Sequence, residues 1–324
     1  MKNILITGGL GLIGHNVALR LHNQGHRVVI VDSMTDYGMI PADELQYLIT
    51  ERRKKIPDVL SFEYDICDVQ KMTWLFTTFN FDTVIHLASF PRQKVVNANP
   101  AAGSRVMSEG LLSLLELASE AKVERFFYAS SSMVYGEFKD QTKEDAQLNP
   151  EGQYGIMKLA GEWLVRDYTR KTGLKHTIFR PSAVYGPLDV EDRVISKFML
   201  TAMKGGTLKV NGKTETLDFT YVDDAADGIV AATLSENTIN KTYNITKSHS
   251  KTLFEAANLA IKLAGKGQIE VREKDADFPS RGALNIDAAR RDFGFDPKVD
   301  IEEGFENYYE WFRTSEFWQN KIKG

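Results

Sequence analysis

With 324 residues, 43% of them hydrophobic and 26% charged, the chain has apolar material for one large domain or two intimate ones, which excludes a disordered protein. The formal net charge is −4 and the basic residues are scattered, so no stripe exists to neutralise a nucleic-acid backbone. The one short basic run, Glu51-Arg52-Arg53-Lys54-Lys55, is expected to be a solvated helix face. Cys67 is the lone cysteine and permits no internal disulfide. A strand-like start at Met1 to Ile6 stands where a leader would be, and together these predict a cytoplasmic location. Cys67 has no histidine near it in sequence and reads as a small buried residue. No apolar stretch approaches the roughly 20 residues of a membrane span, so no membrane partner is expected. The N-x-T sequons at Asn240 and Asn244 are read as chance.

Short β-branched runs at 4–7, 27–31, 61–64, 83–87, 125–129 and 176–180 read as buried strands. They alternate with helical patterns at 11–24, 69–79, 101–121 and 154–173. This rhythm predicts an α/β fold, a Rossmann-type doubly wound parallel sheet spanning residues 1–180. After Arg180 the text becomes turn-rich, with helices expected at 253–264 and 301–312. Residues 181–324 are expected to form a smaller α/β substrate domain, partly interwoven with the first. The aromatic spacing Phe305, Tyr308, Tyr309, Trp311, Phe312 is helical and reads as packing.

Thr7-Gly8-Gly9-Leu10-Gly11-Leu12-Ile13-Gly14 follows the first strand and opens the first helix. Gly8 and Gly11 allow a tight turn and close approach to a pyrophosphate. Gly14 lets helix and strand pack, and the helix start at Leu12 and Ile13 offers free N–H groups to the anion. Asp32 ends the second strand, where a carboxylate accepts both ribose hydroxyls of an adenosine. It would repel a 2'-phosphate, so NAD is the expected cofactor, not NADP. Asp65, ending the third strand, would suit the adenine amino group.

Tyr154-Gly155-Ile156-Met157-Lys158 sets a phenol and an ammonium on one face at the start of a helix. An ordinary tyrosine has a pKa of about 10, so acting as a base near neutrality means stabilising its phenolate by about 4 kcal/mol. A lysine ammonium and a positive nicotinamide ring can supply that order of energy. The serine run Ser130-Ser131-Ser132 follows the fifth strand at its carboxyl end, the edge where such sheets carry ligands. A hydroxyl there can bond the substrate oxygen while Tyr154 removes its proton. No metal site is expected.

These motifs resemble the extended short-chain dehydrogenase/reductase family and, within it, the nucleotide-sugar epimerase/dehydratase branch that includes UDP-glucose 4-epimerase. The resemblance takes in His86-Leu87-Ala88-Ser89, Arg180-Pro181-Ser182-Ala183-Val184-Tyr185-Gly186-Pro187 and Asp218-Phe219-Thr220-Tyr221-Val222-Asp223-Asp224. It implies that Ser131 assists catalysis, that Tyr154 is the acid/base, and that Lys158 also holds the nicotinamide ribose. Ile66, Leu87, Ala88, Ser89 and Pro181 would line the cofactor. Ser89, Ser130, Ser132, Arg193 and Arg281 would meet a nucleotide-sugar substrate, and His86 would be structural. A homodimer through the 101–121 and 154–173 helices is implied as well.

Three positions depart from the family pattern. Ala183 replaces a common asparagine, Leu217 a common arginine, and Met107 the asparagine near the nicotinamide. Two usual diphosphate contacts are therefore missing, and Arg193 would compensate. Ser132-Met133 stands where related 4,6-dehydratases carry Asp-Glu, which disfavours dehydration. The first expectation is an NAD-dependent 4-epimerase working through a transient 4-keto sugar. The alternatives are an NAD-dependent dehydrogenase releasing the keto product and a non-catalytic NAD-sensing protein.

Overall fold

The computed structural model describes every residue except Asp36, Pro91, Asp277 and Gly324. The β-branched runs become β1 (Asn3–Thr7), β2 (Arg27–Asp32), β3 (Leu60–Glu63), β4 (Thr83–His86), β5 (Arg125–Ala129) and β6 (Lys175–Pro181). The first three crossings carry helices α1 (Leu12–Asn23), α2 (Ala42–Lys55) and α3 (Val69–Phe79). A seventh strand, Lys241–Ile245, pairs with β6, and the sheet order is Lys241–Ile245, β6, β5, β4, β1, β2, β3 with every neighbour parallel. The strand order reverses between β1 and β4, which opens a crevice at their carboxyl ends.

Successive strand residues point to opposite faces, so a strand covered on both sides must be apolar throughout. Leu5, Val29, Val31, Val84 and Phe126 face a core shared with α3 and the Gly110–Glu120 helix. Their neighbours Ile4, Ile6, Val28, Ile30, Ile85 and Phe127 face a second core with α1 and the Val222–Leu234 helix. The helix expected at 101–121 is interrupted: Pro100–Ser104 leads into a π-helical turn, Arg105–Glu109, before Gly110–Glu120. Val106 of that wide turn lines the crevice, a common setting for π turns.

Beyond residue 180 the chain returns to the sheet more than once. Val222–Leu234 packs on α1, where Arg20 donates to Asp223 at 2.7 Å and to Asp227 at 2.5 Å, and Lys241–Ile245 closes the edge. That strand is hard to read from sequence because Lys-Thr-Tyr-Asn-Ile is half polar, as an edge strand can be. The Asp287–Phe293 helix comes back to this edge, with Ile286, Ala289 and Phe295 in the sheet core, and most of the remainder forms a separate core around the helices Val194–Met203, Leu253–Ala264 and Ile301–Thr314, with Phe305, Tyr308, Phe312 and Trp318 fully buried. Among the described residues no helix is long and apolar enough to cross a membrane, and no group of three metal-ligating side chains is present.

Candidate active site

The glycine turn is tied to the end of β2, because Gly8 N and Gly9 N both donate to Val31 O, at 2.7 and 3.2 Å. Gly8 has φ +71° and its backbone lies so close to Ala88 that a Cβ would sit 2.7 Å from Ala88 N. At Gly14 a Cβ would collide with Gly8 O, so the helix can start beside the turn only without one. Gly11, the N-cap of α1, supplies no side-chain cap, which leaves the first-turn N–H groups at Leu12, Ile13 and Gly14 to a ligand. A phosphate pair fits this cradle.

Asp32 closes the turn from the other side. Its Oδ2 accepts from Leu10 N and its Oδ1 from Met34 N, both at 2.9 Å. Burial raises its pKa, while these N–H bonds and the nearby Arg52 and Arg53 act against the rise. Asp65 accepts from Cys67 N at 2.9 Å and pairs with Arg105 at 3.3 Å. Cys67 itself is half-buried, not fully buried, and burial together with Asp65 pushes its thiol up to about 11, which keeps it from serving as a thiolate.

Ser131, Tyr154 and Lys158 stand on the wall of the same cleft, which has a volume of about 1050 Å³. Every residue selected from sequence lines it, from Gly8, Ile66, Leu87, Ala88, Ser89 and Pro181 to Arg193 and Arg281. That volume lies at the upper end of the roughly 300–1,000 Å³ of small-molecule pockets. Ser131 caps the short turn Ser132–Tyr135 after β5. Tyr154 and Lys158 lie one turn apart near the start of the Gly152–Thr172 helix, with Lys158 Nζ 5.8 Å from the Tyr154 ring centre.

The electrostatics of the pair differ from the sequence expectation. Lys158 is buried and its pKa falls to about 7, with Nζ donating to Ala129 O at 2.7 Å. Burial raises the Tyr154 phenol, and the opposing pull comes from the Arg193 guanidinium and the Ser131 hydroxyl. Without a bound cation the phenol therefore stays protonated at neutrality. His86 is held 2.7 Å from Thr7 Oγ1, and burial beside Lys158 lowers it to about 3, so it stays neutral and cannot shuttle protons near neutrality.

Lys158 carries a pH signature of its own. Because its folded pKa lies below the ordinary 10.5, the unfolded chain holds a proton that the folded chain has lost between about 7 and 10.5. The contribution of Lys158 to stability should thus rise with pH across that window, while below it both states are charged and the burial penalty is fully present. Thermal unfolding of NAD-free protein over this range measures the slope, and Lys158→Met should flatten it. An equal slope in the variant would assign the effect to another group.

Two sequence expectations need correction. Ser130 does not offer its hydroxyl to substrate: the side chain is buried and donates to Glu162 Oε1 at 2.7 Å, within the Arg180–Glu162 pair under the cleft floor. Nor is 51–55 wholly a solvated face, since Arg52 is buried and donates to Leu10 O and Leu188 O. The helical pattern could not show this, because Arg52 is covered by a segment far away in sequence. Ser132 is also buried and donates to Ser182 Oγ at 3.2 Å.

Arg193 and Arg281 bring two positive charges to the same cleft. Arg193 precedes the Val194–Met203 helix and, among the described residues, has only a loose 3.8 Å pairing with Asp189. Arg281 approaches Met133 Sδ at 3.4 Å, and its buried Nε has no partner among the described residues. Burial and the neighbouring Arg193 bring Arg281 down to about 10. Two guanidiniums short of anions call for an anionic ligand. Asp189, Arg52 and Arg92 also line this cleft, and no local spacing in the chain marks them out.

The profile of the NAD dependent epimerase/dehydratase family matches residues 4–246. A trifunctional UDP-glucose 4,6-dehydratase/UDP-4-keto-6-deoxy-D-glucose 3,5-epimerase/UDP-4-keto-L-rhamnose-reductase of Arabidopsis thaliana is 28% identical over 100% of this chain, which spans about half of that protein, 49%. UDP-glucuronate 4-epimerase 4 of the same plant is 27% identical, with 95% of this chain and 75% of the relative covered. Among solved structures, the UDP-glucuronic acid 4-epimerase from Bacillus cereus in complex with UDP-glucuronic acid and NAD is similar at a TM-score of 0.88 and 26% identity, covering 95% of this chain and 98% of that one. The profile match runs from the first strand of the sheet through its last and takes in Ser131, Tyr154 and Lys158, while Arg281 lies beyond it: the chain belongs to the NAD-dependent epimerase/dehydratase family of extended short-chain dehydrogenase/reductases.

Proposed function

We propose that the chain is an NAD-dependent nucleotide-sugar 4-epimerase. The observation that carries this reading is the meeting of Ser131, Tyr154 and Lys158 with the glycine turn in one cleft of about 1050 Å³. When bound, NAD accepts a hydride from a carbinol carbon and returns it. Gly8, Gly11, Leu12, Ile13 and Gly14 would cradle its pyrophosphate, Asp32 its adenosine ribose and Asp65 its adenine, while Ile66, Leu87, Ala88, Ser89 and Pro181 complete the wall. Ser131 bonds the sugar hydroxyl, Tyr154 takes its proton and gives it back, and Lys158 supports the phenolate and the nicotinamide ribose.

Residues 181–324 form the substrate-holding part. Arg193 and Arg281 grip the diphosphate, a role that the apolar side chains of Ala183 and Leu217 cannot fill, and Ser89 and Ser132 stand beside the sugar. A homodimer through the Gly152–Thr172 helix is supported by Ile156 and Trp163, which lie two turns apart on one face and are 53% and 64% exposed. A lone cysteine suits a reducing cytoplasm.

One preparation tests the reading. Denatured protein should release NAD, detected by mass spectrometry, and native protein should give a dimer mass by light scattering. Offered UDP-, dTDP-, GDP- and CDP-sugars, it should interconvert C4 epimers of one class with no net NADH. Steady NADH accumulation would instead establish the dehydrogenase, and no turnover of any sugar with NAD retained would favour a sensor.

A further inference from the structure

We propose that Arg52 is a positioning residue for the dinucleotide: its guanidinium pins the glycine turn to the segment 188–193 and so sets how long the cofactor stays bound. Arg52 donates Nη1 to Leu10 O at 2.8 Å, and Nε and Nη2 to Leu188 O at 3.2 and 2.6 Å. One buried cation thus joins the turn that meets the pyrophosphate to a stretch that follows β6 and leads to Arg193. Among the described residues no carboxylate lies within ion-pair distance of it, and Asp32 and Asp189 flank it only at longer range. A buried cation held by carbonyls alone is a poor stabiliser compared with an apolar side chain of the same shape. Its use therefore lies in what it holds.

The segment it holds is fastened to the first part of the chain at its main chain three times. Besides Leu188 O, Glu191 N donates to Glu44 Oε1 at 2.7 Å, and Arg92 Nη1 donates to Asp192 O at 2.8 Å. Leu188 adopts φ +69°, a left-handed conformation unfavourable for a branched side chain, and its side chain is buried against Ile40 and Leu48 of α2. Strain of that kind persists only where several interactions fix it together. Of the three fastenings, Arg52 alone reaches the glycine turn. Separating the segment from the turn must break its bonds first, and the cleft between them is where the dinucleotide would lie.

The inference rests on NAD being the ligand of this cleft, and its test needs no sugar. Arg52→Met keeps the length and removes the donors, and Arg52→Lys restores a charge and part of the bonding. Dissociation of NAD from the purified holoprotein is followed by exchange against excess labelled NAD. We expect Arg52→Met to release it at least about tenfold faster, the range for removing a charged hydrogen bond, with Arg52→Lys between it and wild type. Leu114→Ala, a cavity under the Gly110–Glu120 helix, lowers Tm without touching the turn, and should release NAD at the wild-type rate. Equal rates in Arg52→Met and wild type, or equally fast loss from Leu114→Ala, would overturn the proposal. Wild-type protein that binds no dinucleotide at all would remove the NAD reading and this inference with it.

Discussion

Tyr154→Phe should lower turnover by at least about 10²-fold, the low end for removing a general acid/base, while NAD remains bound. The substitution deletes one oxygen and keeps the ring that packs near Lys158 Nζ, so the wall of the cleft survives. The oxygen matters because it is the titratable atom beside Ser131 and Arg193, both of which favour its ionised form. Burial opposes them, so a further positive charge in the cleft would favour the phenolate. Steady-state rates at saturating sugar, with cofactor content checked on the same sample, decide the point. Undiminished turnover would place the base elsewhere.

The second large effect is on stability. Glu162→Ala should destabilise the fold by about 3–5 kcal/mol, because it strands a buried guanidinium. Arg180 is 1% exposed and Glu162 fully buried. The pair is bidentate at 2.8 Å on both arms, and Arg180 Nη1 also donates to Tyr135 OH at 2.8 Å and to Glu144 O at 2.9 Å. The Ser130 hydroxyl would be deprived of its acceptor at the same time. The double variant Glu162→Leu/Arg180→Met should recover much of the stability, since no buried charge is left unpaired and Arg166, which also pairs with Glu162, is part-exposed. Denaturant unfolding of the three proteins measures this. A single variant as stable as wild type would show that the pair does not support the fold.

The cofactor half of the cleft is legible in the sequence because its chemistry is local. A glycine turn between a strand and a helix and a lysine one helical turn from a tyrosine are spacings within a few residues, the acid ends the very next strand, and the structure sets them around one cavity. Ser130 defeats such a reading for the opposite reason. Three adjacent serines look alike in sequence, and only the position of Glu162, on a helix over the sheet, draws the first of them inward. Arg52 resembles a surface residue because its neighbours Arg53, Lys54 and Lys55 are exposed, and what covers it is Leu188, supplied by a loop beyond β6.

The parallel sheet, six of its seven strands and the glycine turn follow from the amino-acid order alone, because periodicity and short spacings act within one strand, helix or turn, whereas Ile66, Leu87, Ala88, Ser89 and Pro181 are marked only by the family resemblance. The seventh strand, the burial of Arg52, the neutral His86 and the depressed Lys158 emerge only once the chain has folded. Each of these depends on desolvation or pairing by residues distant in the chain, and a charge has no fixed pKa or partner until the fold removes its water.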